Sequence, residues 1–198
     1  MLKKYGLLGT IRLLTSLIYT KVFYPRARLI RLPFDIRNKR YIKIGKNFTT
    51  GFGCRIEAFP LDKSYKTCIE IGDDVQINDY VHIAAIKRLI IGNNVLMASK
   101  IFISDISHGS YNGDKNDDNP ESNPSDRPLF SKEVIIEDNV WLGEFVSVLP
   151  GVTIGKGTIV GANSVVTKSL PANVIAVGSP AKPIKKYNFT SQRWESIK

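Results

Sequence analysis

Two histidines, His82 and His108, are the side chains of this 198-residue chain whose ordinary pKa lies nearest neutrality. His108 stands in a long polar stretch, Ser104 to Glu133, whose composition cannot be core. An imidazole with a reference pKa of about 6.5 can take the proton of an attacking hydroxyl at neutral pH, worth roughly 10²–10⁴-fold in rate. His82 lies among aliphatic residues and reads as a structural face residue. Two histidines cannot fill a three-histidine zinc site. Asp114, Asn116 and Asp118 have the spacing of a calcium loop but lack its glycine and distant glutamate, so they read as a solvated turn. No metal site is expected. Cys54 and Cys68 form no metal or redox motif and read as reduced core thiols of a cytosolic protein. No serine or cysteine stands in a nucleophile arrangement. No glycine-rich phosphate loop joins a strand to a helix, so nucleotide hydrolysis has no support.

What must position His108 is a repeat of period six. Aliphatic anchors recur at Ile136, Leu142, Val148, Ile154, Val160 and Val166. A helix wants period 3.6 and a strand period 2, whereas six suits the faces of a parallel β-helix, in which three units close one coil. The fourth residue after each anchor is small or β-branched at Val140, Val146, Val152, Thr158 and Ser164, until Leu170 ends the column. The same register runs through Ile71, Ile77 and Ile83, then Ile91, Met97 and Ile103, with a rougher start at Ile44, Thr50 and Ile56. The pattern predicts an all-β prism of about five stacked coils, each burying its neighbour's apolar face. Gly143, Gly155 and Gly161 follow their anchors, where a corner with φ > 0 would suit them. The loop 104–133 interrupts the prism; insertions of this length in a regular scaffold are usually functional or disordered.

From Val134 to Tyr187 the chain resembles the hexapeptide-repeat acyltransferases. The likeness rests on Asn139-Val140-Trp141-Leu142-Gly143, Pro150 to Gly155, Gly161 to Lys168 and Gly178-Ser179-Pro180-Ala181-Lys182. It is similar to the branch of maltose, galactoside and polysaccharide O-acetyltransferases, over about residues 40–187. The resemblance implies a left-handed prism, acetyl-CoA as co-substrate, a saccharide acceptor, and a homotrimer with sites between subunits. It makes His108 the general base of a direct transfer and sets Asn78 near the acceptor and thioester. It places Trp141 beside the coenzyme arm, Gly143, Ala162, Thr167 and Lys168 along its groove, and Lys182 and Lys185 near the nucleotide phosphates. Backbone donors near Gly143 would hold the oxyanion. Other readings stay open: a left-handed corner for Asn78, core packing for Trp141, a solvated charge run for Lys182 and Lys185. Relatives with maltose- or galactoside-like specificity usually follow the histidine with proline; here it is Gly109. Transfer to an amino sugar, transfer to an antibiotic, and a non-catalytic scaffold are the alternatives.

The charge is uneven. Residues 1–46 hold twelve Lys and Arg against one acid, Asp35, so the net +10 of the chain sits at this end. Leu7, Ile11, Leu14 and Ile18 follow helical spacing among those cations, which predicts a basic amphipathic helix suited to anionic lipid or a lipid-linked glycan. This tilts the acceptor toward a surface-polysaccharide or lipopolysaccharide precursor. It also implies a cytoplasmic protein with the inner membrane face as a contact. No aromatic-basic module for nucleic acid accompanies the charge. Leu7 to Tyr19 is too short to span a membrane and is broken by Arg12, so neither a spanning segment nor a cleaved signal peptide is expected. The expected divisions are a basic segment 1–40, the prism 41–187 with its insertion 104–133, and a tail 188–198.

Overall fold

The structure, a computed structural model, describes residues 2–62 and 67–197. Three sheets form the faces of a prism. The first stacks Ile42–Ile44, Ile69–Ile71, Leu89–Ile91, Val134–Ile136 and Thr153–Ile154 in parallel. The second begins with Thr49–Thr50, Gln76–Ile77, Leu96–Met97, Trp141–Leu142 and Ile159–Val160, and ends in the antiparallel strands Val174–Gly178, Ala181–Asn188 and Arg193–Ser196. The third stacks Phe34–Arg37, Cys54–Ala58, His82–Ala85, Phe102–Ser104, Ser147–Val148 and Val165–Val166. The chain visits the faces in that order, so each face receives one strand per circuit.

The period-six anchors fall on one another rung by rung. Ile44, Ile71, Ile91, Ile136 and Ile154 pair in sequence along the first face. Thr50, Ile77, Met97, Leu142 and Val160 do so on the second, and Ile56, Ile83, Ile103, Val148 and Val166 on the third. Nearly all are fully buried, which is what a prism too narrow for water requires. The small column follows inside: Thr158 Oγ1 donates to Pro171 O at 2.7 Å, and Ser164 Oγ accepts from Gly178 N at 3.0 Å. These hydroxyls are buried because they are bonded.

The corners correct one expectation. Gly143, Gly155 and Gly161 do not have positive φ. The left-handed residue lies three positions after the anchor, at Asn47, Asp74, Asn94, Asn139 and Asn163, among others. Glycine is needed directly after the anchor because the next coil leaves no room. A Cβ on Gly143 would lie 2.6 Å from Ala162 N, and one on Gly155 2.4 Å from Ala172 N.

A second correction concerns the N-terminus. Helix α1 runs Leu2–Phe23 and is long and apolar enough, by length and composition, to cross a membrane. The expectation that no segment reached that length counted only Leu7 to Tyr19. Gly6, with φ 65° and ψ −179°, kinks the helix near its start. The following segment closes the end of the prism, burying Tyr24, Ile30, Tyr41 and Phe48.

Cys54 and Cys68 are free thiols at 1% exposure. Burial pushes the Cys54 thiol up to about 11 and raises that of Cys68 as well. Neither is expected to react with iodoacetamide in the native protein at mildly alkaline pH, since the thiolate is the nucleophile. Intact-mass spectrometry would read this; rapid native alkylation would contradict the buried placement.

Candidate active site

The loop leaves the corner between the third and first faces as an antiparallel arm, Ile106–His108 paired with Leu129–Ser131. Its root is Asp105, with no exposed surface, whose carboxylate accepts from the N–H groups of Ile86, Lys87 and Arg88 at 2.8–2.9 Å. Burial raises its pKa above the usual aspartate value, and the backbone N–H groups pull it back down. The main-chain oxygen of Asp105 accepts from Lys132 N, where the arm returns.

His108 ends the outgoing strand, pairing with Leu129, and is exposed. Its carbonyl accepts from the Tyr111 hydroxyl at 2.6 Å, and that oxygen accepts from Arg127 Nη1 at 2.6 Å. Arg127 also bonds Ser122 and Pro120, closing the arm. The backbone is thus held from several sides, while the imidazole has no hydrogen-bond partner among the described residues. Gly109 turns the chain with φ 95°, and a Cβ there would meet Tyr111 Oη at 2.7 Å. Proline, locked near φ −65°, cannot occupy that conformation. The loop acids serve the backbone: Asp117 accepts from Asn112 N and Gly113 N, and Asp118 from Ser110 N.

His82 differs. Nε2 lies 2.8 Å from Glu57 Oε2, and Nδ1 3.2 Å from Arg55 Nη2. Arginine can only donate, so Nδ1 accepts and Nε2–H donates, leaving neither nitrogen for a substrate proton. Arg37 Nη1 stands 2.6 Å from Glu57 Oε1, an ion pair whose angles do not make a hydrogen bond.

Asn78 follows its anchor at the corner between the second and third faces, where its backbone is not left-handed; Tyr80 takes that role with φ 58°. The turn therefore does not account for asparagine here. Its Oδ1 accepts from Gln76 Nε2 at 3.2 Å, leaving Nδ2 without a bond to the described residues. Backbone bonds run from Asn78 N to Met97 O, Ala98 N to Leu142 O and Gly143 N to Val160 O. Asn78 and Gly143 thus share one ridge, two rungs or about 10 Å apart. The Gly143 N–H is spent in that ladder, so it cannot hold an oxyanion. Ala162 packs against Gly143 on the same ridge.

Trp141 is half exposed on the second face, between Leu96 and Ile159. The column continues through Ile175 to Lys185. A register shift on the last strand pair sets Lys185 opposite Ile175 and Lys182 opposite Val177. Residues 175 and 177 share a face, so the bulge turns both lysines to the side that carries Trp141. The structure therefore gathers Trp141, Lys182 and Lys185 on one face, with Asn78, Gly143 and Ala162 at its edge. Thr167 and Lys168 do not join them: both are exposed at the corner after Val165–Val166, the same kind of corner that bears the arm.

Comparison with known proteins now bears on this arrangement. Residues 133–168 match the family described as bacterial transferase hexapeptide (six repeats). A protein of Escherichia coli K12, provisionally named lipopolysaccharide biosynthesis O-acetyl transferase WbbJ, is 49% identical over 193 residues, covering 98% of this chain and 96% of the relative. The chain belongs to the hexapeptide-repeat acetyltransferases. The galactoside O-acetyltransferase of the same organism is 33% identical over 129 residues, covering 65% of this chain and 59% of that one. A solved variant of AntD, an N-acyltransferase from Bacillus cereus in complex with dTDP-4-amino-4,6-dideoxyglucose and coenzyme A, matches with a TM-score of 0.67 at 23% identity. The match covers 84% of this chain and 83% of that one, a likeness of fold. The hexapeptide-repeat prism is a left-handed parallel β-helix, and this acetyltransferase carries it with an N-terminal helix. Asp105 and the Tyr111–Arg127 clamp were not singled out from the sequence. An acid directly after an apolar strand, where the register breaks, was the available signal for the first.

Proposed function

We propose that this chain transfers the acetyl group of acetyl-CoA to a hydroxyl of a surface-polysaccharide or lipopolysaccharide precursor, with His108 as the general base. The observation that carries the reading is His108 itself: an exposed imidazole, without a hydrogen-bond partner among the described residues, at the end of an arm whose backbone is bonded from several sides. The 49% identity to a relative named for lipopolysaccharide biosynthesis supports the acceptor class.

In the proposed step the imidazole takes the hydroxyl proton as the acceptor oxygen attacks the thioester carbonyl. A tetrahedral oxyanion forms, the carbon–sulfur bond breaks, and the proton passes to the departing thiolate, giving a saccharide ester and free coenzyme A. Asn78 Nδ2 is the available donor for the oxyanion. The apolar column through Trp141, Ile159 and Ile175 suits a pantetheine arm, and Lys182 and Lys185 suit the anionic nucleotide end. Thr167 and Lys168 would line the groove from a neighbouring subunit, as would the arm that brings His108 to Asn78. A homotrimer whose sites lie between subunits fits the separation of these corners. A five-coil prism serves as its rigid frame, and no metal enters the chemistry.

The 198-residue chain incubated with acetyl-CoA and a panel of saccharides is expected to release thiol only when an acceptor is present. The acetylated product should lose its acetyl group to hydroxylamine, as an ester does. A hydroxylamine-resistant amide product would move the enzyme to N-acyl transfer, and acceptor-independent release would overturn the reading.

A further inference from the structure

Helix α1 is attached the wrong way round for a soluble protein. Its two buried residues are polar: Thr20 Oγ1 accepts from Ile30 N at 2.8 Å, and Ser16 Oγ from Leu32 N at 3.1 Å. These bonds satisfy backbone N–H groups of the segment that closes the prism end. At 100° per residue, the face opposite Ser16 and Thr20 carries Leu7, Ile11, Leu14, Ile18 and Val22. All five are exposed, Leu7 at 66% and Ile18 at 65%. A surface helix of a soluble protein turns such a stripe inward. Here that stripe faces out, while the attached side holds the two buried hydroxyls beside half-buried Leu13, Leu17 and Tyr19, so the helix is apolar on both sides rather than on one.

The chemistry around the stripe says what would cover it. Lys21 flanks it, Lys3 and Lys4 sit exposed beyond the Gly6 kink, and Arg26 and Arg28 are exposed just past the helix end. With Asp35 the single acid among the first 46 residues, this end of the molecule repels another copy of itself and attracts an anionic surface. An apolar stripe rimmed by cations is what an interfacial helix presents to acidic phospholipid.

Length alone permits crossing, so attachment decides between lying on the bilayer and crossing it. The inner face of the helix is bonded to the prism, so crossing would break the Ser16 and Thr20 contacts and bare backbone donors.

We infer that α1 is a monotopic membrane anchor. It lays Leu7, Ile11, Leu14, Ile18 and Val22 into the interface of an anionic bilayer, with the prism seated on the surface through its N-terminal end. An enzyme so placed would meet acceptors carried on lipid without releasing them to water.

The test is flotation of the 198-residue chain with vesicles of equal parts phosphatidylglycerol and phosphatidylcholine, against vesicles of phosphatidylcholine alone. Coenzyme and acceptor are left out, so the result stands apart from the transferase reading. The wild type should float with the anionic vesicles and bind neutral ones far more weakly. Ile11→Glu/Ile18→Glu should lower the bound fraction by about tenfold or more, because the apolar contribution is lost. Lys3→Glu/Lys4→Glu should lower it by about fivefold or more per position at low salt. Both pairs of substitutions lie on exposed positions, and circular dichroism would check that each variant keeps the wild-type spectrum. Failure of the wild type to float, or flotation unchanged in the apolar variant, overturns the anchor. It is equally overturned if Ile11→Glu/Ile18→Glu leaves flotation intact but lowers the mass in light scattering, because the stripe then packs against a second copy of the chain.

Discussion

Replacement of His108 by alanine is expected to lower kcat for acetyl transfer by roughly 10²–10⁴-fold, the range for losing a positioned general base. Thermal unfolding should not change. The side chain is exposed at the tip of a strand, its ring bonds to none of the described residues, and the bonds that hold the arm run through its carbonyl. Alanine keeps that carbonyl and the strand pairing with Leu129. The KM for acetyl-CoA should move little, because the base acts on the acceptor proton while the proposed hold on the coenzyme rests on Trp141, Lys182 and Lys185. His82→Ala is the contrast. Both its nitrogens are engaged by Glu57 and Arg55, so its loss would remove a donor from a nearly buried carboxylate that Arg37 and Arg55 still pair, and cost stability rather than chemistry. Steady-state kinetics with thiol detection, paired with calorimetry, separates the two. An active His108→Ala protein would remove the base from the mechanism and leave the fold untouched.

The prism was legible because its physics is local and repetitive. Each anchor, from Ile44 to Val166, must face inward, and a slip of one residue would turn a buried isoleucine into water. The corners were only half legible. Asn139 and Asn163 take the left-handed position, whereas Gly143 and Gly155 serve contact with the next coil, which no single-chain pattern reports. The spacing of Leu7, Ile11, Leu14 and Ile18 gave a helix correctly, but not which side of it meets the protein. That depended on two hydroxyls bonding to residues 30 and 32. At the candidate site, His108 and Asn78 were offered by residue type and resemblance. The lysines at 182 and 185 fall on one face only through a bulge, and sequence spacing of three would have set them apart. The Gly143 N–H, expected near the oxyanion, is consumed by Val160 O because every rung of the ladder must be paired.

Asp105→Ala is expected to be the most damaging single substitution outside the anchor columns. It removes an acceptor shared by the N–H groups of Ile86, Lys87 and Arg88, in a place from which water is excluded. Each orphaned donor costs about 1–3 kcal/mol, and since such losses are not additive a total of about 3–5 kcal/mol is expected. Asp105→Asn should recover only part of this. Its one oxygen can replace Oδ1 toward Ile86, but its NH₂ would then point at the Lys87 and Arg88 donors. The same carboxylate ties the root of the arm to the coil beneath it, so activity should fall with stability even well below the unfolding midpoint. Urea denaturation gives the first quantity. Amide hydrogen exchange across 106–131 gives the second, with faster exchange in the arm than in the Ile136–Val166 prism. Wild-type stability and an unchanged arm in Asp105→Ala would mean that the three N–H groups find other partners. The arm would then be held by its own strand pairing, the Lys132 bond to the main chain of residue 105 and the Arg127–Tyr111 clamp.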